Sequence, residues 1–337
     1  MHQRKDKTQP AMESRLDEMI DYLEKKPKSF PGLIHADSQS KPRRSFAPRI
    51  PERETSLRNL TLKQSIRLTP AMSKLFSRMW KGKRMYNKPV YPTVEHASDG
   101  LFAELKQLAQ SMGAVDMKFI RDIPQKQIFK EKSIPYRHAL IFTVEMDNEP
   151  IQTAPSFDCF LEVNKGYGNL AAISNALSKH LRELGYSAYP STALGGQMDY
   201  VALAEMAGLG AIGYHGLLLT PQAGARVRIS TIFTNIDNFP VETDNPHLWV
   251  RDFCQYCRKC VRSCPASAIL PEPQSNEHGD ATCIDYTKCV PYFSANFGCA
   301  KCIQVCPFST AGYEKIHKGF LKKKKNQTKV QETAQKS

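Results

Sequence analysis

Between residues 94 and 235 the apolar positions fall into two alternating periods, one of about four residues and one of two. Leu101, Leu105, Leu108 and Met112 recur at helical spacing and stop at Gly113, which predicts a helix and its end. Val115–Ile120 and Ala139–Val144 are rich in β-branched and aromatic residues and predict strands. Ile173, Leu177, Leu181 and Leu184 predict a longer helix that stops at Gly185-Tyr186. Met198–Met206 predicts a third helix, closed by Gly208-Leu209-Gly210, and Val227–Asn235 a further strand. Helices and strands alternate, so the fold class expected is an α/β layered domain.

Upstream, Leu68, Met72, Leu75, Phe76, Met79 and Trp80 fall near helical spacing, with Lys74, Arg78 and Lys81 between them. A basic amphipathic helix of this kind can lie on a membrane surface as a peripheral contact. It can also pack its apolar face onto the domain, and that reading is preferred because no second anchor supports the first. Leu16, Ile20 and Leu23 mark a short amphipathic helix within residues 1–52, followed by a linker rich in Pro and charge. Arg43-Arg44-Ser45-Phe46 looks like a twin-arginine signal, but Pro48, Pro51 and charges follow it where an apolar run should stand. The longest apolar stretches, such as His138–Val144, are strand-sized, so no transmembrane segment is expected. Met1–Lys28 has no apolar core of a secretory signal.

The 337 residues, 41% of them hydrophobic, suffice for two domains. The net charge of +14 is unevenly placed. Residues 53–88 hold ten Lys and Arg against Glu54, and residues 313–337 hold eight Lys against two Glu. Lys322–Lys325 reads as a solvated, disordered tail. The remaining charge suits an acidic redox partner such as a reduced ferredoxin or flavodoxin, an anionic membrane surface, or RNA.

Cysteine spacing changes the picture most. Cys254, Cys257, Cys260 and Cys264 precede Pro265 as C-x₂-C-x₂-C-x₃-C-P, the spacing that sends three thiolates to one [4Fe–4S] cluster and the fourth to another. Cys289, then Cys299, Cys302 and Cys306 before Pro307, form the second half. The ligand sets should therefore cross. Cys254, Cys257, Cys260 and Cys306 would hold one cluster, and Cys264, Cys289, Cys299 and Cys302 the other. The competing zinc reading is weaker, because zinc knuckles come as two C-x₂-C pairs and not as a triplet with a distal C-P. Cys283 is a spare that could stand in for Cys289, and Cys159 reads as a core thiol. Eight of the ten cysteines belong to the motif, so a disulfide framework is not expected and a reducing cytoplasm fits. Gly166-Tyr167-Gly168-Asn169-Leu170-Ala171 matches G-x-G-x-x-A, but residues 187–197 hold no acid, so it does not read as a dinucleotide site.

Ala207–Gly213, Leu217–Pro221 and Gly224-Ala225-Arg226-Val227-Arg228 together closely resemble the reductive dehalogenases and their relatives, the epoxyqueuosine reductases. So do Asp252-Phe253-Cys254 and Gly298–Phe308, and Leu184–Ala188 matches the helix end ahead of the glycine segment. The resemblance covers residues 94–312 and implies a nitroreductase-like α/β (α+β) domain that holds a corrinoid, followed by a two-cluster [4Fe–4S] module like a bacterial ferredoxin. Divisions expected are a basic extension over 1–93, the corrinoid domain over 94–250, the cluster module over 251–312 and the tail over 313–337. Gly208, Gly210 and Gly213 suit a turn where backbone approaches a large ligand. By the resemblance, Tyr167 takes the place of the proton donor near a helix start, with Tyr186 and Tyr189 weaker candidates, and Arg226 or Arg228 takes the basic position beside it. Epoxyqueuosine reductases use an Asp where this chain has Leu194, which disfavours tRNA as substrate unless Asp199 replaces it. What is implied is a cytoplasmic reductase of a small organic substrate, organohalides included; the rival readings are a tRNA-modifying reductase and a corrinoid-free electron-transfer protein.

Overall fold

The computed structural model describes residues 33–41, 55–191, 193–242, 244–275 and 281–334. The segment with Leu16, Ile20 and Leu23, and the linker over 42–54, lie outside them.

A four-stranded antiparallel sheet forms the centre, in the order β2 (Ala114–Ile120), β4 (His138–Glu145), β8 (Val227–Thr234) and β5 (Ala188–Pro190). The near-continuous apolar run of β4 is explained by burial on both faces. Leu140, Phe142 and Val144 point into one core, and Ala139 and Ile141 into another. The first core is closed by α2 (Asp99–Ser111) and by α4 (Phe157–Glu183), through Leu105, Leu170, Ile173 and Leu177. The second is closed by α5 (Tyr200–Met206) and by the hairpin of β6 (Ala211–Ile212) and β7 (Leu218–Leu219).

α4 is longer than its apolar periodicity indicates. It starts at Phe157, capped by the Ser156 hydroxyl, which accepts from the Cys159 N–H at 3.0 Å. The Gly166–Ala171 motif is therefore mid-helix, not a phosphate-binding turn. Gly166 has a packing reason: a Cβ there would stand 3.2 Å from Cγ of Arg228.

The basic helix of the N-terminal region, α1 (Leu62–Tyr86), packs against α4, with Leu75 and Met79 buried on Ala171. Arg78 donates to the Gly168 carbonyl at 2.8 Å, and Asn175 donates to the Arg78 carbonyl at 2.8 Å. This helix lies ahead of residue 94 and packs on the sheet domain through α4.

The cysteine-rich part follows from α6 (Trp249–Cys257), through short helices at Lys259–Arg262, Lys301–Gln304 and Pro307–Thr310, with a hairpin of Ile269–Ser275 and Ala281–Ile284 between. Gly224, at φ +57°, lies so close to this part that a Cβ would meet the Phe308 carbonyl oxygen at 2.4 Å. The Ser309 hydroxyl accepts from the Ala225 N–H at 3.3 Å, and the Ser309 carbonyl from Arg226 Nε at 3.3 Å.

The expected disordered tail is corrected. Tyr313–Ala334 is a helix, α7, whose Tyr313, Ile316 and Phe320 bury one face. The Tyr313 hydroxyl accepts from Trp249 Nε1 at 2.9 Å, and Trp249 stacks on His317 at 4.3 Å between centroids. The lysines of the run are all exposed, and the apolar anchors lie ahead of them. No described helix is long and apolar enough to cross a membrane.

Candidate functional site

Backbone conformation prepares the cysteine loops. Arg258, Phe297, Cys299 and Ala300 adopt positive φ without being glycine, a costly conformation that concentrates at functional sites. These residues turn the chain around the sulfurs where a regular helix would carry it past them. Cys254, Cys257, Cys260 and Cys306 line one small void, together with Phe253, Phe308 and His215. Cys306 interacts electrostatically with Cys254 and Cys260. Cys289 does so with Cys264 and Cys299, and Cys302 with all three of these and with Cys260. The fold thus brings the cysteines of the two sequence motifs together. Cys283 lies beside Cys254 and Gly216.

Burial pushes the Cys254 and Cys306 thiols up to about 12 and those of Cys260 and Cys289 up to about 11. Such thiols hold their protons until a metal takes them, so loading releases protons. Backbone N–H groups of Tyr214 and Val261 face the sulfurs of Cys254 and Cys260, and those of Phe308 and Ser309 face Cys306. Among the described residues no three of His, Cys, Asp or Glu converge as one metal ion requires. Four thiols lining one void are a donor set that an iron–sulfur cluster takes.

A cavity of about 310 Å³, open on one side, lies between the sheet domain and the cysteine-rich part. Tyr167 of α4 and Arg228 of β8 line it, as do Ile212, Leu217, Asp199 and, from the cysteine-rich part, Cys283 and Ile303. The Arg228 guanidinium carbon is 4.7 Å from the Tyr167 ring centroid. Arg228 Nε is buried without a hydrogen-bond partner among the described residues.

Arg226 is placed differently. It pairs with Glu145 and donates to the Met146 carbonyl at 3.0 Å, besides its bond to Ser309. Its role is to join the sheet to the cysteine-rich part, and Arg228 alone of the two expected arginines lines the cavity. Tyr167 stands ten residues into its helix, not near the start. Tyr186 donates to the His96 carbonyl at 3.1 Å, and the Tyr189 hydroxyl accepts from the Val90 N–H at 3.0 Å; both lie in the core.

The glycines expected at a ligand have packing reasons of their own. A Cβ on Gly210 would meet the Leu219 carbonyl oxygen at 2.2 Å, and one on Gly213 would meet the Leu219 side chain at 2.8 Å. Both are required by the hairpin's own closeness, and Gly208 provides the positive φ of +75° after α5. The residue that sequence reasoning missed is His215, in the turn of that hairpin. It is fully buried, its Nδ1 accepts from the Leu217 N–H at 3.2 Å, and burial holds it down at about 4. Only a single histidine between two glycines marked it, too weak a signal to single out.

The fold and site define a mixed helix and sheet protein with a 4Fe-4S dicluster domain, whose family pattern matches residues 253–310. The chain is a sequence relative of the reductive dehalogenases and epoxyqueuosine reductases. It is 34% identical over 209 residues to the tetrachloroethene reductive dehalogenase of Dehalobacter restrictus, covering 57% of this chain and 36% of that protein. It is 33% identical over 124 residues to the epoxyqueuosine reductase of Listeria monocytogenes, covering 34% of this chain and 30% of that protein. The chain thus spans well under half the length of the curated relatives it matches. A catabolic reductive dehalogenase, NpRdhA, in complex with 3-bromo-4-hydroxybenzoic acid, superposes with a TM-score of 0.60 at 22% identity, over 72% of this chain and 38% of that one. That likeness is one of fold.

Proposed function

We propose that the chain is a cytoplasmic iron–sulfur oxidoreductase of reductive-dehalogenase type. In this reading Cys254, Cys257, Cys260 and Cys306 hold one [4Fe–4S] cluster, and Cys264, Cys289, Cys299 and Cys302 hold the other. The single observation that carries it is the turn over Gly213–Leu217. One side of this turn, at His215, lines the four-cysteine void, and the other, at Gly216 and Leu217, lines the cavity. Electrons from the first cluster therefore have a short, buried route to whatever the cavity holds. The acidic electron donor is of the reduced ferredoxin or flavodoxin kind.

The cavity's residues suit a corrinoid: Ile212, Leu217 and Leu218 offer an apolar wall, and the unpartnered Arg228 Nε offers a donor to a polar edge. About 310 Å³ holds a small organic molecule, and a corrinoid would also use the open side. When bound, it supplies a cobalt centre that accepts single electrons and reacts with organic substrates. The nitroreductase-like classification of the sheet domain goes with this reading. Tyr167 donates the proton to the substrate, and Arg228 holds its ring and favours negative charge near it.

The tRNA reading needs a carboxylate free to act. Leu194 packs in the apolar group around Met79 and Tyr167. Asp199 does line the cavity, but it caps α5 through the N–H groups of Val201 and Ala202 and pairs with Lys41 at 2.7 Å. The organic-substrate reading is accordingly preferred. To test it, the full chain is purified without oxygen, reconstituted with cobalamin under a strong reductant and passed through gel filtration. Cobalt retained near one per chain, with reductive turnover of an organohalide, supports the reading. Loss of all cobalt leaves the electron-transfer reading in its place.

A further inference from the structure

The neutral histidine in the hairpin turn has one nitrogen with nothing to do. His215 Nδ1 accepts the Leu217 N–H, so the ring proton of the neutral form sits on Nε2. Nε2 is buried and has no hydrogen-bond partner among the described residues. Leaving such a donor unpaired is costly, and native structures rarely do so without a ligand to explain it. The ring lines the void enclosed by Cys254, Cys257, Cys260 and Cys306. The other side chains there, such as Phe253, Phe308 and Pro307, offer no acceptor, and Arg258 is itself a donor. Sulfur is the acceptor that this void can provide.

We infer that His215 Nε2–H donates a hydrogen bond to a sulfur of the cluster held by Cys254, Cys257, Cys260 and Cys306, and thereby raises the reduction potential of that cluster above what it would otherwise be. The inference rests on the cluster reading given above. Reduction adds negative charge to the cluster, so a donor at its sulfur stabilises the reduced form more than the oxidised form. The position matters for function. The turn that carries His215 also walls the cavity through Gly216 and Leu217, so this is the cluster beside the cavity. His215 is a positioning and tuning residue: it touches neither substrate nor the reacting atoms.

Two measurements on the full chain test it. First, wild-type protein labelled with ¹⁵N only in histidine is reduced and studied by pulsed EPR. A weak ¹⁵N coupling to a reduced cluster is expected, and its absence overturns the inference. Second, His215→Leu and His215→Gln are compared with wild type in an EPR-monitored redox titration, with iron counted in each. His215→Leu should keep its iron, and one cluster should become harder to reduce by ~10-fold in equilibrium constant, about 59 mV for one electron. The other cluster should not move, and His215→Gln, which keeps an N–H donor, should restore part of the shift. A His215→Leu protein with full iron and both potentials unchanged overturns the inference. If that variant loses iron, the wild-type coupling alone decides. A wild-type chain that binds no iron overturns the cluster reading and this inference with it, whereas iron without the coupling or the shift overturns only the inference.

Discussion

The Arg228 guanidinium lies over the face of the Tyr167 ring, 4.7 Å from its centroid, and Gly166 on the same helix leaves room for the arginine stem. A cation on an aromatic face contributes about 0.5–2 kcal/mol, enough to fix the ring's orientation toward the cavity. Tyr167→Phe removes one hydroxyl, keeps the stacking and should leave the fold and iron content intact. Turnover should fall by roughly 10²–10⁴, the usual share of general acid catalysis. Undiminished turnover in a steady-state assay would move the proton donor to another residue.

The two arginines separate by what they lose. Arg228→Ala should lower turnover with little change in unfolding midpoint. Arg226→Ala removes the links to Glu145, Met146 and Ser309 and should cost about 1–3 kcal/mol in urea unfolding. The reverse ordering would contradict the placement of Arg228 in the cavity.

Gly224 holds the two parts of the molecule together. Gly224→Ala puts a methyl 2.4 Å from the Phe308 carbonyl and strains a φ of +57°. Because the obstacle is backbone, the cysteine-rich part must shift, and the variant should lose clusters or aggregate. A Gly113→Ala control, at φ +98° but with no atom near the added Cβ, should keep its iron. Equal iron in both would show that Gly224 does not control docking.

The tail helix gives a sharper test than its lysines indicate. Deleting residues 318–337 removes Phe320, which stacks on Trp249 at 5.5 Å between centroids. Trp249 starts the helix that carries Cys254 and Cys257. The deletion should lower iron content and thermal stability, and an unchanged iron count would argue that the helix is dispensable.

Much of this was legible in the sequence because periodicity and spacing are local. The β-branched and aromatic runs located three of the sheet's four strands to within a residue or two, and the short Ala188–Pro190 strand carried no such run. The misreadings were tertiary. The glycines at 210 and 213 look like a ligand cradle because sequence shows small residues but not that Leu219 is the neighbour. Arg226 and Arg228 are equivalent in the motif, and only the folded chain shows that Arg226, just ahead of the strand, pairs with Glu145 while Arg228, inside it, stacks on Tyr167. The lysine run hid a helix because its anchors, Tyr313, Ile316 and Phe320, all precede it.

The most direct test is the iron and acid-labile sulfide content of the full chain purified without oxygen. Two [4Fe–4S] clusters predict about eight iron and about eight sulfide per chain, falling to about four of each in Cys289→Ser and staying at about eight in Cys283→Ser. Zinc without labile sulfide, or equal losses in both variants, would contradict the account.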